Sequence, residues 1–226
     1  RDSHKSVLYY FGAFSDCVSL KSITIPASCQ NIGVTAFRNC KSLESVEFSH
    51  ESVLTILSGG SLTPSPGYVE ADKEDYKIAP PYSSVRSCYS KGVFANCSSL
   101  KSVKIPSSIT KIDAGCFVNC TSLTDLSFDK GSQLSEIGEA AFMNCGLLHR
   151  IYMQNCSKLS SIGIRALYGN DQIYFLQIGA TTPPTLGAEV FGSVGVYSVL
   201  KVPAGSESVY KEAWGWKAFS SITAID

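Results

Sequence analysis

Three histidines, nine cysteines and a short acidic run are the residues of this 226-residue chain whose types could support catalysis or metal binding. His4, His50 and His149 lie far apart, and none has a partner at metal-ligand spacing. Cys116 and Cys120 make one C-x-x-x-C pair, but no second pair completes a zinc set. Glu70, Asp72, Glu74 and Asp75 are interleaved with Lys73 and lack the glycine of a calcium loop, so they read as a solvated face. A Cys–His nucleophile would need a distant histidine to fold beside a thiol, and no spacing predicts that. H-E-x-x-H, C-x-x-C, G-x-S-x-G, phosphate-loop and dinucleotide fingerprints are all missing from the sequence. The expectation is a chain without a catalytic set, without metal and without cofactor.

Surface chemistry is richer. His149, Arg150 and Tyr152 fall between apolar residues of one extended segment, and Tyr174, Phe175 and Gln177 fall between those of the next. Exposed aromatics beside an arginine are the residue types of protein-interface hot spots and of sugar-stacking platforms. Tyr68, Tyr76 and Tyr82 form a second candidate group, in a proline-rich and acidic stretch.

A repeat must position these residues. The pattern Phe, then Cys three residues on, then Leu, an aliphatic residue and a second apolar residue recurs along the chain. It is seen in Phe14, Cys17, Leu20, Ile23, Ile25 and in Phe37, Cys40, Leu43, Val46, Phe48. Copies follow from Phe94, Phe117 and Phe142, with worn copies around Leu167 and Phe191. Such a period means a stack of rungs that each contact only their neighbours. The runs ending at Pro26, Pro106 and Pro203 read as strands stopped by proline, with Ile23 and Ile25 alternating inward. The N-I-G-x-x-A-F runs read as a second extended piece, a glycine turn at Gly33, Gly138 and Gly163 with an unusual backbone angle, and one helical turn. Asn39, Asn96, Asn119 and Asn144 are expected to bond backbone at the corner.

The spacings between repeat positions are 23, 57, 23, 25, 25 and 24, so the long one holds an insert at about residues 57–92. Residues 1–203 read as a solenoid of about seven rungs. Residues 204–226 read as a C-terminal cap, helix first, with Ser206 as N-cap and Val209, Tyr210, Trp214 and Phe219 at helical spacing. The five cysteines at one repeat position read as a ladder of buried thiols rather than disulfides. The sequons at Asn96, Asn119 and Asn155 read as by-products of the repeat.

Nineteen basic and nineteen acidic residues cancel, which argues against nucleic acid or an anionic membrane as partner. No apolar run approaches the ~18 residues of a bilayer span. The chain opens on Arg1 without a signal-like segment and reads as trimmed or processed.

The units I-G-x-x-A-F-x-x-C-x-S-L-x-S-[IV]-x-[IF]-P resemble the BspA-type (Treponema-type) leucine-rich repeats, and the ending VPAGSESVYKEAWGWKAFSSI is similar to the cap of such proteins in Bacteroidetes. The resemblance implies an α/β leucine-rich-repeat solenoid, right-handed, with a parallel sheet on its concave face, short helical turns elsewhere and a C-terminal helical cap. It implies a cell-surface or secreted adhesion module, monomeric and not an enzyme, with an extracellular protein or a glycan as partner. A purely architectural spacer is the remaining alternative.

Overall fold

The computed structural model describes residues 12–59, 91–171, 173–192 and 197–225. His4 and the tyrosines Tyr68, Tyr76 and Tyr82 lie outside those residues. Strands dominate. β1 (Ser22–Ile25), β2 (Ser45–Phe48), β3 (Ile56–Leu57), β4 (Ser102–Ile105), β5 (Lys111–Ile112) and β6 (Asp125–Phe128) come first. β7 (Glu136–Ile137), β8 (Arg150–Met153), β9 (Ser161–Ile162), β10 (Phe175–Ile178), β11 (Thr185–Leu186), β12 (Val199–Val202) and β13 (Ser221–Ala224) follow. The four-residue strands form one eight-stranded sheet in the order β1-β2-β4-β6-β8-β10-β12-β13, and the two-residue strands form a five-stranded sheet. Every pairing is parallel.

Register follows from burial. Ile23, Val46, Val103, Leu126, Ile151, Leu176, Leu200 and Ile222 stack as one inward column of the large sheet. A one-residue slip would turn that whole column to water, so the pattern fixes the pairing. The small sheet stacks Leu57, Ile112, Ile137, Ile162 and Leu186 against the same core. Strands β1, β4 and β12 end at the residue before Pro26, Pro106 and Pro203, where a missing N–H breaks no ladder bond.

The segments around each repeat Phe are not helical turns. Phe37 N–H donates to Val93 O on the next rung at 2.9 Å, and Asn39 N–H donates to Ala95 O at 2.9 Å. Between them, Arg38 and Cys40 close tight turns on Thr35 and Phe37. Alternate amides therefore point along the stack, which a helix does not allow. The alternation depends on left-handed backbone at Thr35 (φ 60) and Asn39 (φ 60), and it recurs at Asn96, Asn119 and Asn144.

Two of the three glycines expected at that turn serve another purpose, whereas Gly33 has neither a positive φ nor a neighbour that a Cβ would meet. Gly138 and Gly163 lack a positive φ, but a Cβ on Gly163 would meet Glu139 N at 2.6 Å on the neighbouring rung. They permit close stacking rather than an unusual angle. The asparagines also differ from expectation, because they bond one another rather than the backbone. Asn144 donates to Asn119 at 3.0 Å, Asn119 to Asn96, Asn96 to Asn39, and Asn39 to Asp16, these last three at 2.8 Å. Gly169 takes the next place, and its missing side chain ends the column.

The phenylalanines stack as a second ladder, with centroids 5.2 Å apart for Phe14–Phe37, 5.4 Å for Phe37–Phe94, 5.2 Å for Phe94–Phe117 and 5.1 Å for Phe117–Phe142. The thiols form a third. Cys40, Cys97, Cys120 and Cys145 donate to the carbonyls of Phe14, Phe37, Phe94 and Phe117 at 3.1, 3.1, 3.3 and 3.2 Å. The cysteines among the described residues are free thiols. In the worn rung Asn170 replaces the thiol and donates to Phe142 O at 2.8 Å.

The end of the chain is less helical than expected. Its α1 (Glu207–Glu212) has six residues, and Ser206 makes no side-chain capping bond. A 3-10 turn at Trp216–Ala218 follows, and then β13 joins β12 as the eighth strand of the large sheet. Tyr210, Trp216 and Phe219 cover the last rung, with Phe191 edge-on to Trp216 and Phe219. The hydroxyl of Tyr210 donates to Ala180 O, and Trp216 Nε1 to Pro184 O, both at 2.8 Å. Trp214 is 65% exposed and takes no part in that packing.

The chain leaves the regular path after Ser58 and rejoins it at Val93, whose N–H donates to Ser58 O at 3.0 Å. The equivalent bond in the next rung, Cys116 N–H to Asp113 O, spans only two intervening residues. The detour thus starts and ends across a single turn bond.

Candidate binding surface on the large sheet

Along each four-residue strand, inward residues alternate with residues on the outer face. On β1 to β6 that face is small or charged: Ser22 and Thr24, Ser45 and Glu47, Ser102 and Lys104, Asp125 and Ser127. Several of the charges along it have local partners. Lys101 pairs with Glu44 at 2.5 Å, and Lys104 with Asp129 at 2.6 Å. Asp125 accepts from the Thr124 hydroxyl at 2.8 Å.

On β8 and β10 the character changes. Phe175 lies in register with Arg150, and Gln177 with Tyr152. His149 and Tyr174 stand one residue ahead of these strands, with ring centroids 6.2 Å apart. Arg150 Nε donates to the Tyr174 hydroxyl, and the guanidinium carbon lies 5.1 Å from the centre of the same ring. The Tyr174 hydroxyl, and secondarily that of Tyr152, hold the Arg150 pKa above the usual guanidinium range. Tyr152 packs on Phe175 at 5.5 Å with the rings tilted by 46°. Tyr174 is 42% exposed, Arg150 is exposed, and the other four are half-buried.

The six sheet residues singled out by sequence therefore form one continuous cluster, in a more specific arrangement than spacing shows. Tyr152 meets Phe175, whereas Tyr174 is claimed by Arg150 and His149. Arg150 is bonded at the hydroxyl edge of Tyr174, and the 46° tilt between Tyr152 and Phe175 gives those two rings no common plane. Among the described residues, Phe14 at 46%, Tyr197 at 87% and Trp214 at 65% are exposed aromatics outside this cluster. Trp214 stands within the cap pattern, and no local signal separates it from the buried Trp216.

No group of His, Cys, Asp or Glu among the described residues could hold a metal ion. No helix among them is long and apolar enough to cross a membrane.

The BspA type leucine rich repeat region matches this chain in six copies, over residues 10–59 and 86–216. No curated protein matches it. Two solved structures are similar. One is the pneumococcal vaccine antigen PcpA, with 18% identity, a TM-score of 0.33, and coverage of 92% of this chain and 68% of that one. The other is a leucine-rich repeat protein from Bacteroides ovatus ATCC 8483, with 18% identity, a TM-score of 0.35, and coverage of 96% and 63%. The chain thus spans about two thirds of the length of each.

Proposed function

The chain belongs to the BspA-type leucine-rich repeat family, and from that premise we propose that it is a binding module rather than an enzyme, at the cell surface or secreted, engaging an extracellular protein through the outer face of its large sheet. Solenoids offer extended surfaces of this kind, and proteins built from leucine-rich repeats commonly use them to bind other proteins. The observation that carries the reading is the change of that face at β8 and β10, from paired charges to the Arg150, Tyr152, Tyr174 and Phe175 cluster. Arginine and tyrosine dominate interface energetics because each gives a large, stiff contact area together with hydrogen bonds. On this reading the module works as a monomer, the solenoid is right-handed with the large sheet concave, and Tyr68, Tyr76 and Tyr82 of the insert supply a second contact.

The test is an array of extracellular-matrix proteins beside an array of glycans, probed with the parent chain, Tyr152→Ala and Tyr174→Ala. Binding to a protein that drops about tenfold or more in either variant supports the reading, as expected for an interface hot spot. Equal binding by all three chains places the contact elsewhere. A glycan signal lost in both variants would favour sugar recognition instead.

A further inference from the structure

Arg150 differs from Lys101 and Lys104 of the large sheet in what surrounds it. Lys101 and Lys104 each meet a carboxylate, at 2.5 and 2.6 Å. Arg150 meets two phenols instead. Asp125 lies opposite it on β6, yet its carboxylate is engaged by Thr124, and no ion pair joins it to Arg150 among the described residues.

A guanidinium carries five N–H donors in a rigid plane. The Tyr174 hydroxyl takes the Nε donor, which puts the guanidinium carbon at the hydroxyl edge of the ring, 5.1 Å from its centre. The ring and the hydroxyl together fix the plane of the fork and reduce the side-chain entropy that a ligand would have to freeze out. With the Tyr152 hydroxyl as second neighbour, two of the five donors face phenols, and the others can meet a ligand carboxylate. Tyr152 and Phe175 place apolar surface beside those donors, 5.5 Å from one another.

We propose that this cluster recognises an acidic segment of a partner protein, with a partner carboxylate gripped by Arg150 and an apolar side chain resting on Tyr152 and Phe175. The proposal rests on the protein-binding reading above and names its chemistry. A protein carboxylate beside an apolar side chain fits better than a sugar acid, because the Tyr152–Phe175 tilt gives the two rings no common flat platform.

The test uses a short capped peptide of alternating Glu and Tyr, its Gln and Tyr counterpart, and polygalacturonate, each titrated into the isotope-labelled chain by NMR. The expected result is amide shifts at residues 149–152 and 174–177 with the Glu peptide, at about tenfold lower concentration than with the Gln peptide. Arg150→Gln should weaken the Glu peptide about tenfold, and Arg150→Lys should recover only part of that loss because it restores charge without the fork. Arg150 is exposed, so both variants should retain the parent's circular dichroism. Equal affinity for the Glu and Gln peptides, no effect of Arg150→Gln, or tighter binding of polygalacturonate would each overturn the proposal. Matrix-protein binding that needs Tyr174 but ignores Arg150 overturns it too, while leaving the binding function standing. A parent chain that binds no matrix protein defeats the function itself, whatever the peptides show.

Discussion

Each thiol of the ladder both fills a corner of the core and donates to the Phe carbonyl of the rung before it. Burial is the main reason that Cys97 is pushed up to about 12 and Cys40 to about 11, from an ordinary value of 9.0, and it does the same to Cys156, which lies off the ladder against the Ser132 hydroxyl and reaches about 12. The unfolded chain therefore loses these protons first as pH rises. Their stabilising contribution is complete below about pH 9 and is lost progressively through pH 11 to 12, with each group adding about 1.4 kcal/mol per pH unit to the slope between its two pKa values. The urea midpoint should fall steadily above pH 9. Cys97→Ser, which keeps a donor for the Phe37 carbonyl, should make that fall shallower; an unchanged slope counts against the account. At pH 8, iodoacetamide should label Cys17, which is exposed, and spare Cys97, Cys120 and Cys145, which mass spectrometry can verify. The asparagines make a different demand. Asn119 sits at φ 59 and both gives and receives a ladder bond. Asn119→Ala should cost about 2–3 kcal/mol in chemical denaturation, and Asn119→Gly about 1 kcal/mol less because glycine accepts that backbone. Equal losses would show that the backbone angle contributes nothing.

At the scale of elements, strands and their facing were legible because alternation in runs such as Leu20 to Ile25 leaves one solution once neighbouring rungs are stacked. The turns were misread for a physical reason. Ala36, Phe37 and Cys40 have a spacing that fits a helical turn, and only bonds to residues of another rung make the alternating path the better one. Sequence separations of 23 to 60 residues hide those partners from any local pattern. The cap differs for the same reason: Ser206 does stand at the N-cap of α1, but Tyr210 and Trp216 anchor the segment through hydrogen bonds to residues 30 and 32 positions earlier. The candidate site was half legible. Stacking of rungs leaves Tyr152 beside either Tyr174 or Phe175, and the structure pairs it with Phe175, while Tyr174 meets Arg150 from a position offset by one along the strands. Phe117 lies between Phe94 and Phe142, so Phe117→Ala should cost about 3–5 kcal/mol. Phe14 is 46% exposed, and Phe14→Ala should cost clearly less. The same comparison holds for the tryptophans. Trp216→Ala should lower the thermal midpoint strongly, whereas Trp214→Ala should leave stability within about 0.5 kcal/mol.

For the whole molecule, the two regions expected to bind have separate anchorages. The insert departs and returns at Ser58 and Val93, on the rung of β2 where the small sheet meets the phenylalanine turns. The aromatic cluster lies on β8 and β10, three strands further along the large sheet, or about 14 Å at the usual strand spacing. Because one turn bond already closes the path at Ser58 and Val93, replacing residues 60–90 with a short Gly-Ser linker should leave the far-ultraviolet spectrum unchanged and the denaturation cooperative. A collapse of the fold would instead make the insert part of the scaffold. The asparagine ladder carries a further consequence, for how such a chain can lengthen. Each carboxamide gives its proton toward Asp16, and a carboxylate has none to pass on, while Gly169 offers no group to continue from Asn144. A unit duplicated between these two residues would find a donor on one side and an acceptor on the other, and every bond would be re-formed. A unit spliced in beyond either would start without a partner. Asp16 and Gly169 thus act as punctuation, marking the stretch within which whole repeats can be gained or lost without altering the grammar of the stack.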